Sequence, residues 1–322
     1  MQTFLLYLYT ESPLHAGAAD ADRGIDLPIQ REAATNYPVV WGQSLKGALR
    51  RSINEALRRQ EHDLLNKDDV TWLFGPPPRS GGDDVDQDPA AGNLLVGDAQ
   101  LVAMPVPTLQ HTFAWATSGL ALGRLARKYQ GLKGSPQIPE VPTPPPGSGY
   151  TSTSRWNSAK AEGKGHVLGP CVVPLEEHQA VGSWSQRIGA DALPTPHEGQ
   201  TTDPFSYFRS QLNQDLLVVG DTAMSQLVRE CTEHTVRVQL NDETKTVEHG
   251  PFTAEYLPTD SVLAATLTLR SNASGADDDG TVTALYAEQL RTALDGTSWQ
   301  LGGDETIGKG QLWSRLIGDK DE

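Results

Sequence analysis

Cysteine is scarce in this sequence. Cys171 and Cys231 are the only two among 322 residues, and neither stands in a CxxC or a mixed Cys/His spacing. Such spacings mark structural zinc sites, and a disulfide framework needs several cysteines. We therefore expect neither a zinc site of that kind nor a disulfide-stapled fold, and we interpret the two thiols as isolated core residues.

Long apolar runs are missing as well. No run approaches the roughly 20 residues that a membrane-spanning helix needs. The first ten residues alternate leucine with tyrosine and lack the basic flank and cleavage site of a signal peptide. With 37% hydrophobic and 21% charged residues, the composition is that of a globular protein. We predict a soluble cytoplasmic protein with no membrane partner.

Positive charge is in short supply. The chain carries 26 Lys and Arg against 41 Asp and Glu, a formal net charge of −15, whereas nucleic-acid binders usually present a basic patch. The charges are clustered, however, and a binding site depends on local charge. The acidic clusters are Asp83, Asp84, Asp86 and Asp88; Asp277, Asp278 and Asp279; and Asp319, Asp321 and Glu322. The basic clusters are Lys46, Arg50, Arg51, Arg58 and Arg59, and Arg124, Arg127, Lys128 and Lys133.

The hydrophobic pattern predicts an α+β fold. Because strands and helices interleave without a regular βα alternation, we expect a sheet with helices on one face. Residues 76–92 and 131–165 are rich in Pro, Gly, Ser, Thr or Asp, and we predict flexible loop insertions into a single domain spanning 1–322. Strands are expected over 3–10, 93–106, 234–240, 262–270 and 311–317, and helices over 44–57, 118–129, 221–230 and 282–294.

Familiar catalytic motifs do not occur. There is no HExxH, no GxSxG and no paired-carboxylate motif, and GGDETIGKG at 302–310 fails the GxxxxGK[ST] spacing of a P-loop. The four glycines of that segment permit positive φ and close approach of another backbone, with Lys309 beside them. By itself, the segment is either such a contact site or an ordinary turn.

Two further segments carry candidate chemistry. SLKGALR at 44–50 places Ser44 as the cap and Lys46 in the first turn of a helix, whose positive N-terminus suits a phosphate. A capped surface helix with solvated bases is the alternative. The long loop at 13–37 holds His15 and Asp26, which have no local partner for a triad or a metal cluster. Loops of this length without structure of their own tend to be functional or disordered.

Taken in this order, the segments resemble the RAMP superfamily, and GGDETIGKG resembles its glycine-rich signature loop. IDLPIQRE at 25–32 narrows the resemblance to the repeated backbone subunit of type III-B (Cmr-type) CRISPR effector complexes. The other matching stretches are LHAG at 14–17, GQSLKGALR at 42–50, VGDAQLVAMPVP at 96–107, TFAWAT at 112–117, RVQLN at 237–241 and AEYLP at 254–258.

This resemblance implies an RRM-like (ferredoxin-like) palm, a four-stranded sheet with two helices, that carries long insertions. One insertion is a β-hairpin thumb, which we place within 131–215 and which wedges into the guide–target duplex. The implied partners are a CRISPR guide RNA, a target RNA, further copies of the chain stacked head-to-tail, and other effector-complex subunits. The expected guide-phosphate contacts are Ser44, Lys46, Arg50, Arg51, Gly302, Gly303, Gly308, Lys309 and Gly310.

The resemblance also implies an endoribonuclease. The family's catalytic aspartate falls on Asp26, with His15, Glu255 and Tyr256 as further candidates in the same neighbourhood. We expect the target RNA to be cleaved by its own 2′-OH at a nucleotide splayed out of the duplex, because the reacting oxygens must line up with phosphorus. Asp26 would draw the 2′ proton or hold a divalent cation, Mg or Mn.

Three alternatives stay open. The first is a non-catalytic guide-RNA-binding scaffold with the same fold and an idle Asp26. The second is a stand-alone ribonuclease that processes guide RNA without partner subunits. The third is a small-molecule enzyme unrelated to RNA, which would show no salt-dependent RNA binding.

Overall fold

The computed structural model describes residues 1–21, 24–58, 65–76, 91–134, 137–157, 165–196, 201–270 and 281–318. The three acidic clusters and most of the predicted insertion at 76–92 lie outside these residues. The helices are α1 (Gly42–Arg58), α2 (Lys67–Phe74), α3 (Gly119–Gln130), α4 (Gln179–Ala192), α5 (Ser206–Asp215), α6 (Asp221–Glu230) and α7 (Thr281–Leu294). None of the helices in these ranges is long and apolar enough to cross a membrane.

The five predicted strands are present, the one over 93–106 as two strands, and the structure adds others that the sequence did not predict. The strands are β1 (Gln2–Thr10), β2 (Val39–Val40), β3 (Leu94–Val96), β4 (Ala99–Pro107), β5 (Phe113–Ser118), β6 (Gly149–Thr151), β7 (His166–Leu168), β8 (Cys171–Val173), β9 (Leu175–Glu177), β10 (Leu216–Val219), β11 (Glu233–Leu240), β12 (Val247–Tyr256), β13 (Val262–Leu269), β14 (Ser298–Gln300) and β15 (Gln311–Ile317).

One large mixed sheet organises the molecule. It has 11 strands in the order β14-β15-β1-β13-β4-β5-β10-β6-β9, with β2 paired to β4 and β3 to β13. Within it, β10 runs parallel to β5 and β9 runs parallel to β6. Helices and strands interleave along the chain without a regular βα alternation, so the predicted α+β class is confirmed.

Helices cover both faces of this sheet, not one as the sequence suggested. Phe4, Leu6 and Leu8 share a buried cluster with residues of α1 and α7. Leu5 and Tyr7, which point to the opposite face, share a second cluster with residues of α3 and α4. Strand β1 is therefore apolar on both of its faces. Such a strand is stable only when other elements pack against both faces of the sheet.

The segment 131–165 is not simply an insertion outside the fold. Its strand β6 pairs with β10 inside the large sheet. Trp156 is fully buried and donates a hydrogen bond from Nε1 to Oδ1 of Asp215 at 2.8 Å. Residues 149–157 are thus attached to the sheet and the core through β6 and Trp156, and the expectation of a flexible loop is wrong for them. The Gly- and Pro-rich composition reflects tight connections here.

The largest hairpin of the described chain lies outside the predicted thumb range. Within 131–215 the hairpin β7–β8 has only three residues per strand. By contrast, β11 and β12 form a separate two-stranded sheet of eight and ten residues. Val236, Val238 and Leu240 on β11 are exposed. Exposed aliphatic side chains that alternate along one strand in this way are typical of a surface that contacts a partner.

Candidate functional site

The loop at 13–37 lies along the edge of β12 that faces away from β11. Leu14 pairs with Leu257, and Leu27 pairs with Ala254, in isolated β-bridges. The Leu27 N–H also donates to the carbonyl of Thr253 at 3.0 Å. Two stretches of the loop thereby extend the hairpin sheet at its root. This pairing brings candidate residues from distant parts of the sequence into one place.

Asp26 is fixed at this edge by a backbone donor. Its Oδ2 accepts a hydrogen bond from the Thr253 N–H at 2.7 Å. The residue is exposed. An exposed carboxylate that a backbone donor holds in place is positioned to meet a substrate from outside.

His15 is anchored two residues further along the same strand. Its Nδ1 lies 2.8 Å from the backbone oxygen of Glu255. Because a carbonyl only accepts, Nδ1 carries the proton and Nε2 of the neutral ring carries the lone pair. The ring also packs against Tyr256 with 5.5 Å between centroids. The anchor points of His15 and Asp26 on β12 are about 7 Å apart, from the rise per strand residue.

Glu255 is a buried structural residue in this arrangement. Its side chain is 2% exposed and forms an ion pair with Arg31, whose side chain is 12% exposed. Its carboxylate also accepts hydrogen bonds from the Ile29 N–H at 3.1 Å and from the Thr232 hydroxyl at 2.9 Å. A carboxylate with this many donors holds the loop to the hairpin and does not reach solvent. We therefore revise its predicted catalytic role to a positioning role.

Tyr256 is likewise internal and connects the hairpin to the glycine-rich loop. Its hydroxyl donates to Oδ2 of Asp304 at 2.8 Å, and the Lys309 ammonium lies 4.9 Å from its ring centroid. Burial raises the pKa of the Tyr256 hydroxyl. Arg237 donates two hydrogen bonds to Asp304 at 2.9 and 2.6 Å. Those bonds hold the pKa of the Asp304 carboxyl below its ordinary value.

The glycine-rich loop is built against His15. The Gly303 N–H donates to the His15 carbonyl at 2.9 Å, and the Gly310 N–H donates to the Pro13 carbonyl at 2.9 Å. Gly302 has a φ of +83°, and a Cβ there would overlap the His15 carbonyl oxygen. Gly308 also has a positive φ, +77°, but open space surrounds it. The loop therefore needs glycine at 302 for room as well as for backbone angle.

The first turn of α1 differs from the prediction. The helix begins at Gly42, and the Gly42 N–H donates to Oδ1 of Asp98 at 2.6 Å. Ser44 is thus inside the helix, and its hydroxyl accepts from Nε2 of Gln30 at 3.2 Å. The prediction of Ser44 as the N-cap is wrong. Part of the positive helix end is already satisfied by a carboxylate of the chain itself.

The predicted basic contacts on α1 have distinct environments. The Lys46 ammonium donates to the Leu94 carbonyl at 2.9 Å, and Arg50 donates to the Pro76 carbonyl at 3.3 Å. Arg51 instead forms ion pairs with Glu55 and Glu305, both at 2.8 Å. Lys46 and Arg50 therefore keep uncompensated charge in these contacts, whereas Arg51 is already neutralised.

A cleft of about 360 Å³ joins the three segments that the sequence singled out. Its walls come from His15 and Gly17 of the loop, from the first turns of α1, and from Gly302 and Gly303. Ser44 and Arg51 also line it. Asp26 and Lys46 do not line this cleft. The structure therefore assembles one groove from predicted residues. The candidate catalytic carboxylate, Asp26, lies outside this groove, at the root of the hairpin.

At this site, the exposed carboxylate of Asp26 is the group that could bind a divalent cation. No group of three or more His, Cys, Asp or Glu side chains with metal-binding geometry occurs in the part of the chain that the structure describes. An all-protein site does not fit these residues. Mg²⁺ that keeps most of its waters and binds one carboxylate together with substrate phosphates does fit Asp26.

Sequence reasoning missed the residues that hold the site in place. Thr253 supplies the N–H that anchors Asp26. Arg31 forms an ion pair with Glu255, and Arg237 forms one with Asp304. Asp304 lies within the glycine-rich segment. A carboxylate between glycines is the one sequence feature that could have indicated its role. The others depend on strand register between distant segments, which no local pattern encodes.

Comparison with known proteins gives consistent matches over nearly the full length. The sequence model of the family described as "RAMP superfamily" matches residues 7–313. The chain is 29% identical over 320 residues to the "CRISPR system Cmr endoribonuclease Cmr4" of Pyrococcus furiosus, covering 96% of this chain and 94% of that protein. The crystal structure of oligomeric Cmr4 from Pyrococcus furiosus matches with a TM-score of 0.69 and 25% identity over 100% of both chains. A cryo-EM structure of the type III-B Cmr-beta complex bound to cognate target RNA contains a chain of the same fold, with a TM-score of 0.67 and 18% identity over 98% of this chain and 97% of that one.

Proposed function

Because the chain belongs to the RAMP superfamily, we propose that it is a repeated backbone subunit of a type III-B CRISPR ribonucleoprotein that binds guide RNA and cleaves the paired target RNA. The relative that matches 96% of this chain is named an endoribonuclease. The observation that carries the proposal is the exposed Asp26 carboxylate, which the Thr253 N–H fixes at the root of an exposed hairpin.

Strand order supports an RRM-like palm within the larger sheet. The four neighbouring strands β15, β1, β13 and β4 pair antiparallel. In chain order these are the fourth, first, third and second strands of a βαββαβ unit, with α1 after the first and α7 after the third. That is the strand order of the ferredoxin-like fold. The remaining strands and helices are then insertions into this palm.

The hairpin β11–β12 is the thumb in this proposal, in place of a hairpin within 131–215. Val236, Val238 and Leu240 present aliphatic side chains to solvent, and side chains of this kind act as wedges between base steps. Asp26 is anchored at the root of the same hairpin. A nucleotide unstacked by the hairpin would therefore lie next to the carboxylate.

Cleavage then proceeds by attack of the target's own 2′-oxygen on the adjacent phosphorus. The bond from the 2′-oxygen to phosphorus forms and the bond from phosphorus to the 5′-oxygen breaks, which leaves a 2′,3′-cyclic phosphate and a 5′-hydroxyl. Asp26 accepts the 2′-OH proton, and water supplies the proton that the leaving oxygen takes up. Alignment of the three reacting atoms at the wedge supplies more of the rate than the strength of the base.

A divalent cation, Mg²⁺ or Mn²⁺, is part of the proposal through the exposed carboxylate of Asp26. Such an ion would neutralise negative charge that develops on the phosphate oxygens. The chain's own contribution is to hold Asp26 by the Thr253 N–H and to hold the loop by the ion pair of Glu255 with Arg31. Both contacts set where the carboxylate lies.

Guide RNA is proposed to lie in the groove that His15, α1 and the glycine-rich loop form. Backbone N–H groups and lysine or arginine heads bind phosphates without reading bases, which suits a subunit that serves any guide. The oligomeric state of the Pyrococcus furiosus relative supports head-to-tail stacking of copies along the guide. Heterologous contacts of that kind extend a filament until other subunits end it.

The proposal is tested with the complex reconstituted from guide RNA, this chain and its partner subunits. A labelled target complementary to the guide should be cut at regular intervals, and a non-complementary RNA should stay whole. The isolated chain should leave precursor guide RNA intact. Cutting of precursor by the isolated chain would instead identify a guide-processing ribonuclease. Binding of the complementary target without any cutting would identify a scaffold.

A further inference from the structure

A second cleft lies on the other side of the first turn of α1. It has a volume of about 450 Å³, and its walls include Gly42, Gln43, Lys46, Gly92, Leu94 and Arg270. Gln43 lines both this cleft and the first one. The two clefts therefore adjoin across the beginning of the helix. An extended chain bound in one cleft could continue into the other.

Positive charge converges at this second cleft. The pKa of the Lys46 ammonium is lowered by burial and by the positive charges of Arg50 and Arg270. In the described part of the chain, Lys46 and Arg50 donate hydrogen bonds to neutral carbonyls of Leu94 and Pro76. Repulsion among these three cations is unfavourable in the free chain. An anion bound among them would relieve it.

The contrast with Arg51 strengthens this point. Arg51 lines the first cleft but forms ion pairs with Glu55 and Glu305. Arg270 lines the second cleft, and its backbone N–H donates to the Asn93 carbonyl at 2.9 Å, which fixes the residue at the end of β13. In a chain with a net charge of −15, Lys46 and Arg270 line one cleft, and the hydrogen bonds of Lys46 and Arg50 go to carbonyls. Cations placed together in this way mark a site for an anionic ligand.

We propose that Lys46 and Arg270 bind a phosphate of the same RNA strand that crosses the first cleft, so that the strand passes over the beginning of α1. This inference rests on the proposed function and adds Arg270 to the RNA-binding residues. Lysine binds a phosphate as a point charge, and arginine binds it through two parallel N–H donors. The contact carries no base information, because only the phosphate is touched.

The test is the salt dependence of RNA binding by the full chain. A single-stranded RNA is titrated against wild type, Lys46→Gln, Arg270→Gln and Arg270→Lys across a range of NaCl concentrations. The matched control is Arg58→Gln, which removes one exposed positive charge from the far end of the same helix. The apparent binding constant is plotted against salt concentration on logarithmic axes, and urea denaturation checks that each variant is folded.

Loss of one phosphate contact should lower the slope by about 0.7 and the affinity about tenfold. We expect this result for Lys46→Gln and for Arg270→Gln, a nearly wild-type slope for Arg270→Lys, and no change for Arg58→Gln. A double variant Lys46→Gln/Arg270→Gln, titrated in the same way, should lose little more than either single one, because both side chains hold the same phosphate. If Arg270→Gln matches Arg58→Gln while wild type binds RNA with a steep slope, the second cleft is not an RNA site. If wild type itself shows no salt-dependent binding, the proposed function fails instead.

Discussion

Arg237 and Asp304 form a two-point ion pair that connects the exposed hairpin to the glycine-rich loop. The two guanidinium nitrogens lie 2.9 and 2.6 Å from the two carboxylate oxygens. The side chains are 32% and 21% exposed, so the pair is only partly screened by solvent. It is a direct link between the proposed thumb and the loop that packs on His15.

Asp304→Asn should destabilise the chain by about 1–2 kcal/mol at pH 7, the range for hydrogen bonds to a charged group near a surface. Asparagine tolerates the φ of +65° at this position, so the backbone is retained. Because the folded-state pKa of Asp304 lies below the ordinary 3.8, the wild-type advantage is fully present above about pH 4 and is lost as the pH falls through the folded value. Urea denaturation of both proteins at pH 7 and pH 3 measures this. An equal difference at both pH values would show that the ion pair is not its source.

Glu255→Gln should cost about 3 kcal/mol of unfolding free energy, because it leaves the largely buried Arg31 guanidinium without its carboxylate partner. The glutamine side chain is close in shape to glutamate, and its amide oxygen can still accept from the Ile29 N–H. The double variant Arg31→Met/Glu255→Gln should be less destabilised than the single one, since no unpaired charge remains. Urea denaturation gives both values. A Glu255→Gln protein of wild-type stability that has lost cleavage would restore the catalytic role predicted for Glu255.

Gly302→Ala and Gly308→Ala should differ sharply although both replace a glycine with positive φ. Backbone strain alone is expected to cost about 1 kcal/mol at Gly308, where a methyl group has open space. At Gly302 the methyl group meets the His15 carbonyl, so the loop must also shift and the unfolding free energy falls further. Urea denaturation of the two variants measures the difference. Equal costs would mean that the packing of Gly302 on His15 is not tight.

Much of the fold could be predicted because its strongest patterns are local. The apolar stripe of α1, the alternation of β11 and the run of β13 each fit one type of element, and the structure has these elements within one or two residues of the predicted bounds. The cap prediction fails at Ser44 because a serine followed by an apolar stripe is typical of a helix start wherever it occurs. The helix begins at Gly42 instead, where a glycine is needed because a side chain would overlap the Val96 carbonyl.

The site itself could be predicted only as separate segments. The proximity of Asp26 to Thr253 and of His15 to Glu255 depends on the register with which a loop joins the edge of β12. Nothing in the local sequence sets that register. Glu255 illustrates the consequence, because the family resemblance makes it a catalytic candidate, whereas in the fold it is a buried partner of Arg31. The sequence analysis expects the thumb within 131–215 and not at the long hairpin at 233–256, because the Pro- and Gly-rich composition of 131–165 favours an insertion there.

The most direct test of the proposed catalysis is target-RNA cleavage by the reconstituted complex carrying Asp26→Asn. Asparagine keeps an oxygen that can accept from the Thr253 N–H, so the loop stays anchored while the negative charge is lost. Glu288→Gln, which removes an exposed charge on α7, is the matched control. We predict unchanged target affinity, wild-type cutting by the control, and cleavage by Asp26→Asn that is slower by a factor of about 10²–10⁴. Cutting by Asp26→Asn at the wild-type rate would contradict the catalytic role of Asp26 and place the chemistry elsewhere.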